Sequence, residues 1–301
     1  MSDGLSIAVV GVGAIGGAMA AALGDAGHQP TLCVRTYFPQ LSRTLNGETR
    51  EYAHPVCTDP DNVFPTDWVL LCTKAHQNEG AARWLRALVG PETRVAVMQN
   101  GIDHVERVSG YVAADRAVPC IIFLPSLVEK PGVIRQARSG TVRVPESPAG
   151  RALADLFGGQ EAVGVEPTAD FTSAVWSKLV LNAVGGAICA LVLKPLSAVA
   201  ATEVRELSTG LIEEIMRVGR AEGATFADDL VEKTFETYRG PIGAHWTSMA
   251  ADRRDGKLME WEARNAVVGQ LGRRHGIPTP LNDALTALLA VSDAPLSIEM
   301  E

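Results

Sequence analysis

The sequence predicts an α/β protein in which a doubly wound parallel sheet precedes an all-helical C-terminal domain. Three observations support this prediction. Short apolar runs alternate with helix-like stretches in the first half of the chain, and glycines follow the first of these runs. From Asp170 onward, apolar residues recur with the 3.6-residue period of helices instead. Strands that are separated by helices form parallel sheets, because each crossover helix returns the chain to the same end of the sheet.

The predicted elements of the first half follow in order. The strands are SIAVVGV (6–12), QPTLCVR (29–35), DWVLLCTK (67–74) and TRVAVMQN (93–100), and the helices are AIGGAMAAALGDAG (14–27) and HQNEGAARWLRALV (76–89). AVPCIIFLPSL and TVRVP continue the pattern, and the turn at 131–133 suits an antiparallel pair. Glu166-Pro167-Thr168 stands where the pattern changes and suggests a linker. We therefore place the domain boundaries at 1–167 and 168–301.

The second domain is predicted to consist of helices. Its periodic segments are 171–193, 204–223, 228–239 and 257–276, and the last of them follows an Asp255-Gly256 turn. Few β-branched runs interrupt these segments, so strands are not expected here.

The composition excludes several classes of protein. Of 301 residues, 47% are apolar and 21% are charged, with a net charge of −8, which is typical of a globular chain and disfavours non-specific nucleic-acid binding. The first apolar run breaks at Gly11, so we expect neither a signal peptide nor a membrane span. The five cysteines form no CxxC motif and lie near no suitably spaced histidine. We predict reduced thiols, no metal site and a cytoplasmic location.

A glycine-rich motif follows the first predicted strand and opens the first predicted helix. In a Rossmann-type domain the first glycine allows a tight turn, the second lets the backbone approach a pyrophosphate, and the third lets helix and strand pack closely. The motif has the required context, which makes it more specific than the glycines alone. We expect its residues to bind a dinucleotide: Gly11, Val12, Gly13, Ala14, Ile15 and Gly16.

The residue after the second strand indicates which dinucleotide is bound. NAD-preferring domains place an acidic residue there, about 20 residues after the glycines, against the ribose 2′-hydroxyl. This chain has Cys33-Val34-Arg35-Thr36 and no carboxylate. An arginine can pair with a 2′-phosphate through a fork of charge-assisted hydrogen bonds. Arg35 therefore favours NADP(H), and a solvent-exposed charge at a strand end is the alternative.

Short segments along the whole chain are arranged in a characteristic order. They are GVGAIG (11–16), Val34-Arg35, TKAHQ (73–77), QNG (99–101), WSKL (176–179) with Asn182, TSM (247–249), EWEARN (260–265) and GIPTP (276–280). With this order and spacing, the chain resembles the ketopantoate reductase (2-dehydropantoate 2-reductase) family. The resemblance implies a Rossmann-type domain, a helical substrate domain and NADPH-dependent reduction of a 2-oxo acid.

Lys178 and Asn182 lie four residues apart, on one face of an otherwise apolar predicted helix. Ketone reduction needs a proton donor as well as a hydride donor, because negative charge develops on the oxygen. Desolvation would lower the pKa of Lys178 and let it donate a proton near neutral pH. A lysine that extends to solvent is the alternative. The resemblance implies that Lys178 is the general acid and that Asn182 hydrogen-bonds to the substrate.

The resemblance assigns four more residues to the site. Glu260 is expected to face the substrate and the nicotinamide ribose, and Ser248 to contact the substrate carboxylate, although Ser248 could also be a helix N-cap. Lys74 and Asn100 end predicted parallel strands, and ligands bind beyond the carboxyl ends of such strands. A surface lysine and a plain Asn-Gly turn are the alternatives for these two residues.

Several expected pocket positions depart from the family. Asparagines would be expected at Gly186 and near Leu196, a glycine after Asn265, and glycines and threonines at 120–126, where the chain has CIIFLPS. Each hydrogen bond lost to the substrate would cost about 1 kcal/mol or more. A less polar carbonyl or hydroxy acid is therefore an alternative substrate.

The sequence favours an NADPH-dependent oxidoreductase that reduces a 2-oxo acid to a 2-hydroxy acid, as in the conversion of 2-dehydropantoate to pantoate in pantothenate biosynthesis. A related NADP(H) oxidoreductase on a less polar substrate and a non-catalytic NADPH-binding sensor are the alternatives. Lys178 and Glu260 disfavour the sensor, because neither is needed merely to bind a dinucleotide. The expected partner is the small substrate, without nucleic acid or membrane, and the apolar helical domain could form a homodimer.

Overall fold

A computed structural model of the protein describes residues 4–293. The chain forms two compact units, of which the first ends at Phe171 and the second begins at Thr172. The strands are β1 (Ile7–Val10), β2 (Thr31–Cys33), β3 (Leu41–Leu45), β4 (Glu48–Tyr52), β5 (Val56–Cys57), β6 (Trp68–Leu71), β7 (Arg94–Val97), β8 (Ala117–Pro119), β9 (Ile121–Phe123), β10 (Ser126–Lys130), β11 (Val133–Gln136), β12 (Gly140–Pro145) and β13 (Val163–Thr168). The α-helices are α1 (Ala14–Asp25), α2 (Asn78–Leu88), α3 (His104–Val108), α4 (Pro148–Phe157), α5 (Phe171–Val192), α6 (Arg205–Ala221), α7 (Leu230–Arg239), α8 (Ser248–Arg254), α9 (Val267–His275) and α10 (Pro280–Asp293).

The main sheet of the first unit has the strand order β5-β2-β1-β6-β7-β8, and every neighbouring pair is parallel. The chain starts in the middle at β1, runs outward through β2 to β5, and returns to β6 before continuing to β8. The order therefore reverses between β1 and β6. Ligands of such sheets bind at this reversal, beyond the carboxyl ends of the strands. The predicted doubly wound sheet is confirmed.

The main sheet is covered on both faces. Ile7 and Val9 of β1 belong to the core that contains α1, whereas Ala8 and Val10 belong to the core that contains α2. Successive side chains of a strand point to opposite faces, so a strand covered on both sides must be apolar throughout. The uninterrupted run at 7–10 thus follows from its central position in the sheet.

A second sheet contains a hairpin that our reading of the sequence missed. β3 and β4 pair antiparallel on either side of Asn46 and Gly47, whose φ angles are 51° and 84°. Asn-Gly is the favoured pair for a two-residue hairpin turn, because both positions need left-handed backbone. This dipeptide is the signal from which the hairpin could have been found. The sheet has the order β10-β11-β3-β4, and its antiparallel β10 and β11 flank the turn predicted at 131–133.

The third sheet shows that the predicted linker is wrong. Residues 166–168 form the end of β13, which pairs parallel with β12 in the order β13-β12-β9. β13 is an edge strand, and an edge strand accommodates Pro167, which has no backbone N–H to donate. The chain enters the helical unit immediately after this strand.

The second unit is helical throughout its described residues, as predicted. α5 is its central helix, and the eight residues at 183–190 are all buried. Among residues 4–293 it is the one helix long and apolar enough to cross a membrane, and 67% of its most apolar window is buried in the protein, as is typical of a core helix. Glu214 of α6 is 3% exposed and accepts hydrogen bonds from the backbone N–H groups of Leu281 and Asn282 at 3.0 and 2.9 Å. α6 thereby caps the first turn of α10.

Candidate active site

The glycine-rich loop connects β1 to α1. Gly11 has a φ of 88°, which favours glycine, and a Cβ on Gly16 would lie 2.0 Å from the carbonyl oxygen of Gly11. A Cβ on Gly13 would meet no atom within 4 Å, and no side chain caps the N-terminus of α1. Packing therefore requires Gly11 and Gly16, whereas Gly13 leaves the helix N-terminus open. Unpaired backbone N–H groups and the helix dipole make such an end suitable for a phosphate group.

The loop after β6 lies against the glycine-rich loop, as expected at the reversal of strand order. A Cβ on Gly11 would be 2.8 Å from Cγ2 of Thr73. Lys74 comes next and is half-buried. Its backbone N–H donates to Oε1 of Gln77 at 3.4 Å, and its carbonyl oxygen accepts from the Gln77 N–H at 2.8 Å. This short turn fixes the backbone of Lys74 at the carboxyl end of β6.

Arg35 lies two residues after β2, on the other side of β1. It is exposed, and it makes no hydrogen bond or ion pair with any other described residue. Its position at the carboxyl end of β2 is the one at which Rossmann-type domains distinguish the ribose 2′-substituent.

Gln99 is a positioning residue that our reading of the sequence did not identify. It is 4% exposed, and its Nε2 donates to Oγ1 and the carbonyl oxygen of Thr73 and to Oδ1 of Asn78, at 3.1, 3.0 and 2.6 Å. Arg107 donates to Oε1 of Gln99 and to the carbonyl oxygen of Asn100 at 3.3 and 2.6 Å. These bonds connect the loop after β6 with the loop after β7 and hold the backbone of Asn100. The sequence signals for this role are that Gln99 is a polar residue two positions after the strand β7 and that it belongs to the QNG segment at 99–101.

Lys178 and Asn182 lie on α5 and are both half-buried. The pKa of Lys178 is lowered from 10.5 to about 7; burial is the main cause, the nearby charge of Arg264 acts in the same direction, and that of Glu260 acts in the opposite direction. A half-buried lysine in this state can hold or release a proton near neutral pH. Burial of the Lys178 side chain in the folded protein thus disfavours its charged form.

Glu260, Arg264 and Ser248 form a connected buried group. Glu260 is 6% exposed and Arg264 is 3% exposed. Nη2 of Arg264 donates to Oε2 of Glu260 at 3.1 Å and to Oγ of Ser248 at 3.0 Å. Ser248 is the first residue of α8, but the N-cap is Thr247, whose hydroxyl accepts from the Ala250 N–H at 3.2 Å. The capping alternative for Ser248 is therefore wrong, and its hydroxyl belongs to this group instead.

The positions at which the sequence departs from the family differ from one another in what surrounds them in the structure. Leu196 is 6% exposed, and its Cδ1 lies 2.7 Å from where a Cβ on Gly185 would be, so Leu196 is a core residue. Asn265 is 1% exposed and donates to the carbonyl oxygen of Ala183 at 3.2 Å. Only Gly186 has its missing side chain directed at the charged group: a Cβ there would lie 3.5 Å from Nη1 of Arg264.

The sequence-predicted residues thus gather in two places. Gly11, Gly13, Arg35, Lys74 and Asn100 all lie at the carboxyl edge of the main sheet in the first unit. In the second unit, Lys178, Asn182, Ser248 and Glu260 are joined by Arg264, which we had not assigned. No cluster of His, Cys, Asp and Glu side chains that could hold a metal ion occurs among residues 4–293.

Comparison with known proteins gives consistent matches over both units. Residues 7–149 match the family described as ketopantoate reductase PanE/ApbA, and residues 170–292 match its C-terminal family. A 2-dehydropantoate 2-reductase from Caulobacter vibrioides is 41% identical, over 94% of this chain and 98% of that protein.

Solved structures show the same fold. A 2-dehydropantoate 2-reductase from Geobacter metallireducens is 27% identical with a TM-score of 0.87. The match covers 96% of this chain and 100% of that one. A dimeric ketopantoate reductase from Staphylococcus aureus is 23% identical with a TM-score of 0.85, over 96% of this chain and 99% of that one. At this lower identity the likeness concerns the fold alone.

Proposed function

Because the chain belongs to the ketopantoate reductase family, we propose that it catalyses the NADPH-dependent reduction of 2-dehydropantoate to pantoate. The observation that carries this proposal is the half-buried Lys178 beside Glu260 and Arg264 on the helical unit. These groups are not needed to bind a dinucleotide, which argues against a non-catalytic sensor. They suit a reaction in which an oxygen atom gains a proton.

The first unit has the groups to hold NADPH. The open α1 N-terminus after Gly13 would receive the pyrophosphate, and Arg35 would pair with the 2′-phosphate. Lys74 and Asn100 would contact the cofactor or the substrate from the loops after β6 and β7. When bound, the reduced nicotinamide supplies the hydride, and with it both electrons of the reduction.

Lys178 is the general acid in this proposal. As the ketone carbon gains hydride, the C=O π bond breaks towards oxygen, and Lys178 transfers a proton from Nζ to that oxygen. The product is the 2-hydroxy acid, and neutral Lys178 then regains a proton from solvent. A pKa of about 7 suits both steps at neutral pH. Asn182 donates a hydrogen bond to the substrate, and Ser248 contacts its carboxylate. Glu260 pairs with Arg264 and orients its guanidinium beside Lys178.

The test is the oxidation of NADPH and of NADH by purified protein, measured with a panel of 2-oxo acids. The panel contains ketopantoate, an aliphatic 2-oxo acid without its hydroxyl group, and an aromatic 2-oxo acid. We expect the highest kcat/KM with ketopantoate and NADPH. A higher kcat/KM with either of the other acids would support the less polar substrate instead. NADPH binding without turnover of any acid would establish the sensor.

The expected partner is the small substrate. α5 is mostly buried in the protein, which supports a core helix over a membrane anchor, and a cytoplasmic location stays a prediction. We also propose a homodimer, the state named for the Staphylococcus aureus protein of the same fold. Sedimentation equilibrium would show a mass close to 31.9 kDa if the chain were instead a monomer.

A further inference from the structure

We propose that Arg264 binds the carboxylate of the 2-oxo acid, and that Gly186 is a specificity-determining position because it leaves room for this contact. The proposal rests on the proposed function, since it names a group that would hold the substrate of that reaction. It concerns a residue of the π-helical segment Glu262–Ala266, which lies within the EWEARN segment but had been given no role from the sequence.

The guanidinium of Arg264 has unused hydrogen-bonding capacity. Only 3% of its side chain is exposed, and its two hydrogen bonds, to Ser248 and Glu260, both come from Nη2. Nε is fully buried without a hydrogen-bond partner. Nη1 makes no hydrogen bond to any residue among 4–293 and lies 3.5 Å from where a Cβ on Gly186 would be. A buried donor without a partner, such as Nε, is costly, and Nη1 has hydrogen-bonding capacity left for a ligand.

Gly186 gives this donor its space. Lys178, Asn182 and Gly186 follow one another at intervals of four residues along α5, and such residues are neighbours on a helix surface. Any side chain at 186 would meet Nη1 of Arg264 and Cε of Met249, which lie 3.5 and 3.3 Å from the Cβ position. Position 186 is where the family would have an asparagine. With glycine there, the guanidinium of Arg264 takes the place of that amide next to α5.

The chemistry of a 2-oxo acid fits this arrangement. Its carboxylate is bonded directly to the carbon that is reduced, so the group that binds the carboxylate must lie close to the proton donor. Arg264 is close enough to Lys178 for its charge to act on the lysine. Guanidinium is suited to carboxylate because its planar donors match both oxygens, which a lysine does not achieve.

Charge balance favours the same assignment. The charged groups that act on Lys178 are Arg264 and Glu260. With Lys178 protonated, these three carry a net charge of +1, and the substrate carboxylate would bring the sum to zero. The bound anion would also offset the effect of Arg264 on Lys178 and so favour the protonated form that donates the proton.

The test compares a 2-oxo acid with its uncharged methyl ester in steady-state kinetics of Arg264→Met. Arg273→Met on α9, which is 67% exposed, is the matched control. We expect Arg264→Met to raise the KM of the acid by about tenfold to a hundredfold, as for a lost charge-assisted hydrogen bond, while the KM of the ester changes by less than about threefold. Arg264→Lys keeps the positive charge but not the planar donors, so it should raise the KM of the acid by less than Arg264→Met does. Equal changes for acid and ester, or a change in kcat alone, would overturn the proposal.

A second variant keeps the proposal testable if Arg264→Met does not fold, since that change removes the ion pair between Arg264 and the buried Glu260. Gly186→Asn retains Arg264 but places an amide against Nη1. We expect the acid to lose affinity relative to the ester, and an unchanged acid-to-ester ratio would contradict the role of Gly186. Wild-type protein that reduces neither compound would refute the proposed function itself, whereas normal wild-type turnover with an unaltered ratio in the variants would refute this inference alone.

Discussion

Replacing Lys178 by methionine should slow turnover strongly and at the same time stabilise the folded protein below neutral pH. The side chain is half-buried on α5, and methionine keeps most of its apolar length. Without the proton donor, kcat for reduction should fall by about 100-fold to 10,000-fold. The gain in stability has a different origin, because the folded protein no longer holds a cation in a desolvated position.

The size of the stabilisation follows from the pKa of Lys178. Its fall from 10.5 to about 7 on folding corresponds to at most about 5 kcal/mol, at about 1.4 kcal/mol for each tenfold change in proton affinity. Below about pH 7 both the folded and the unfolded protein hold the proton, so wild type bears the full penalty. Between about 7 and 10.5 the unfolded chain binds more protons than the folded one, so wild-type stability rises with pH and the advantage of the variant shrinks.

The measurement is the free energy of unfolding by denaturant for wild type and Lys178→Met, from about pH 6 to about pH 9.5. We expect the difference to be largest at the acidic end and to decrease by about 3 kcal/mol across this range. Lys233→Met is the control, since Lys233 is 63% exposed on α7, and it should change stability by less than about 1 kcal/mol at every pH. A difference for Lys178→Met that does not vary with pH would refute the lowered pKa. Loss of activity would then need another explanation.

Three further predictions concern the cofactor loop, cofactor preference and the helical core. Gly13→Ala should fold normally, because its Cβ meets no protein atom, but it should weaken NADPH binding at least about tenfold, because that Cβ occupies the path of the phosphate. Gly16→Ala should instead lower the unfolding temperature, because its Cβ would lie 2.0 Å from a backbone oxygen. Arg35→Gln should raise the Kd of NADPH about tenfold or more and leave that of NADH nearly unchanged, and equal changes in both, measured by cofactor fluorescence, would exclude a 2′-phosphate contact. Glu214→Gln should cost about 1–3 kcal/mol in denaturant unfolding without altering KM, because amide donors of α10 lose their charged partner, and exposed Glu213→Gln should be neutral.

Local patterns were sufficient for much of the fold and part of the candidate site. The apolar runs, the glycine spacing at Gly11, Gly13 and Gly16, and the four-residue interval between Lys178 and Asn182 each depend on neighbours within a few residues. Such patterns reflect the period of a helix or strand and the steric demands of one turn. They therefore predicted the parallel sheet, the helical second unit and the positions of these residues on their elements.

Tertiary packing decided what those patterns could not express. Glu166-Pro167-Thr168 has the composition of a linker, yet pairing with β12 makes it an edge strand. Leu196 could not be separated from a pocket residue until its burial against α5 was known.

The sequence by itself determined which chemical groups are candidates for a reduction: the glycine-rich loop, Arg35, and Lys178 with Asn182 on one helix. Only the tertiary structure decided the electrostatic state of Lys178 and the buried ion pair of Arg264 with Glu260. Both depend on burial, and burial is set by segments that meet in space although they are far apart in the chain, as α5 and the residues around Glu260 do. A sequence pattern records the identity of a charge, whereas its free energy depends on the solvent and the partners that folding leaves around it.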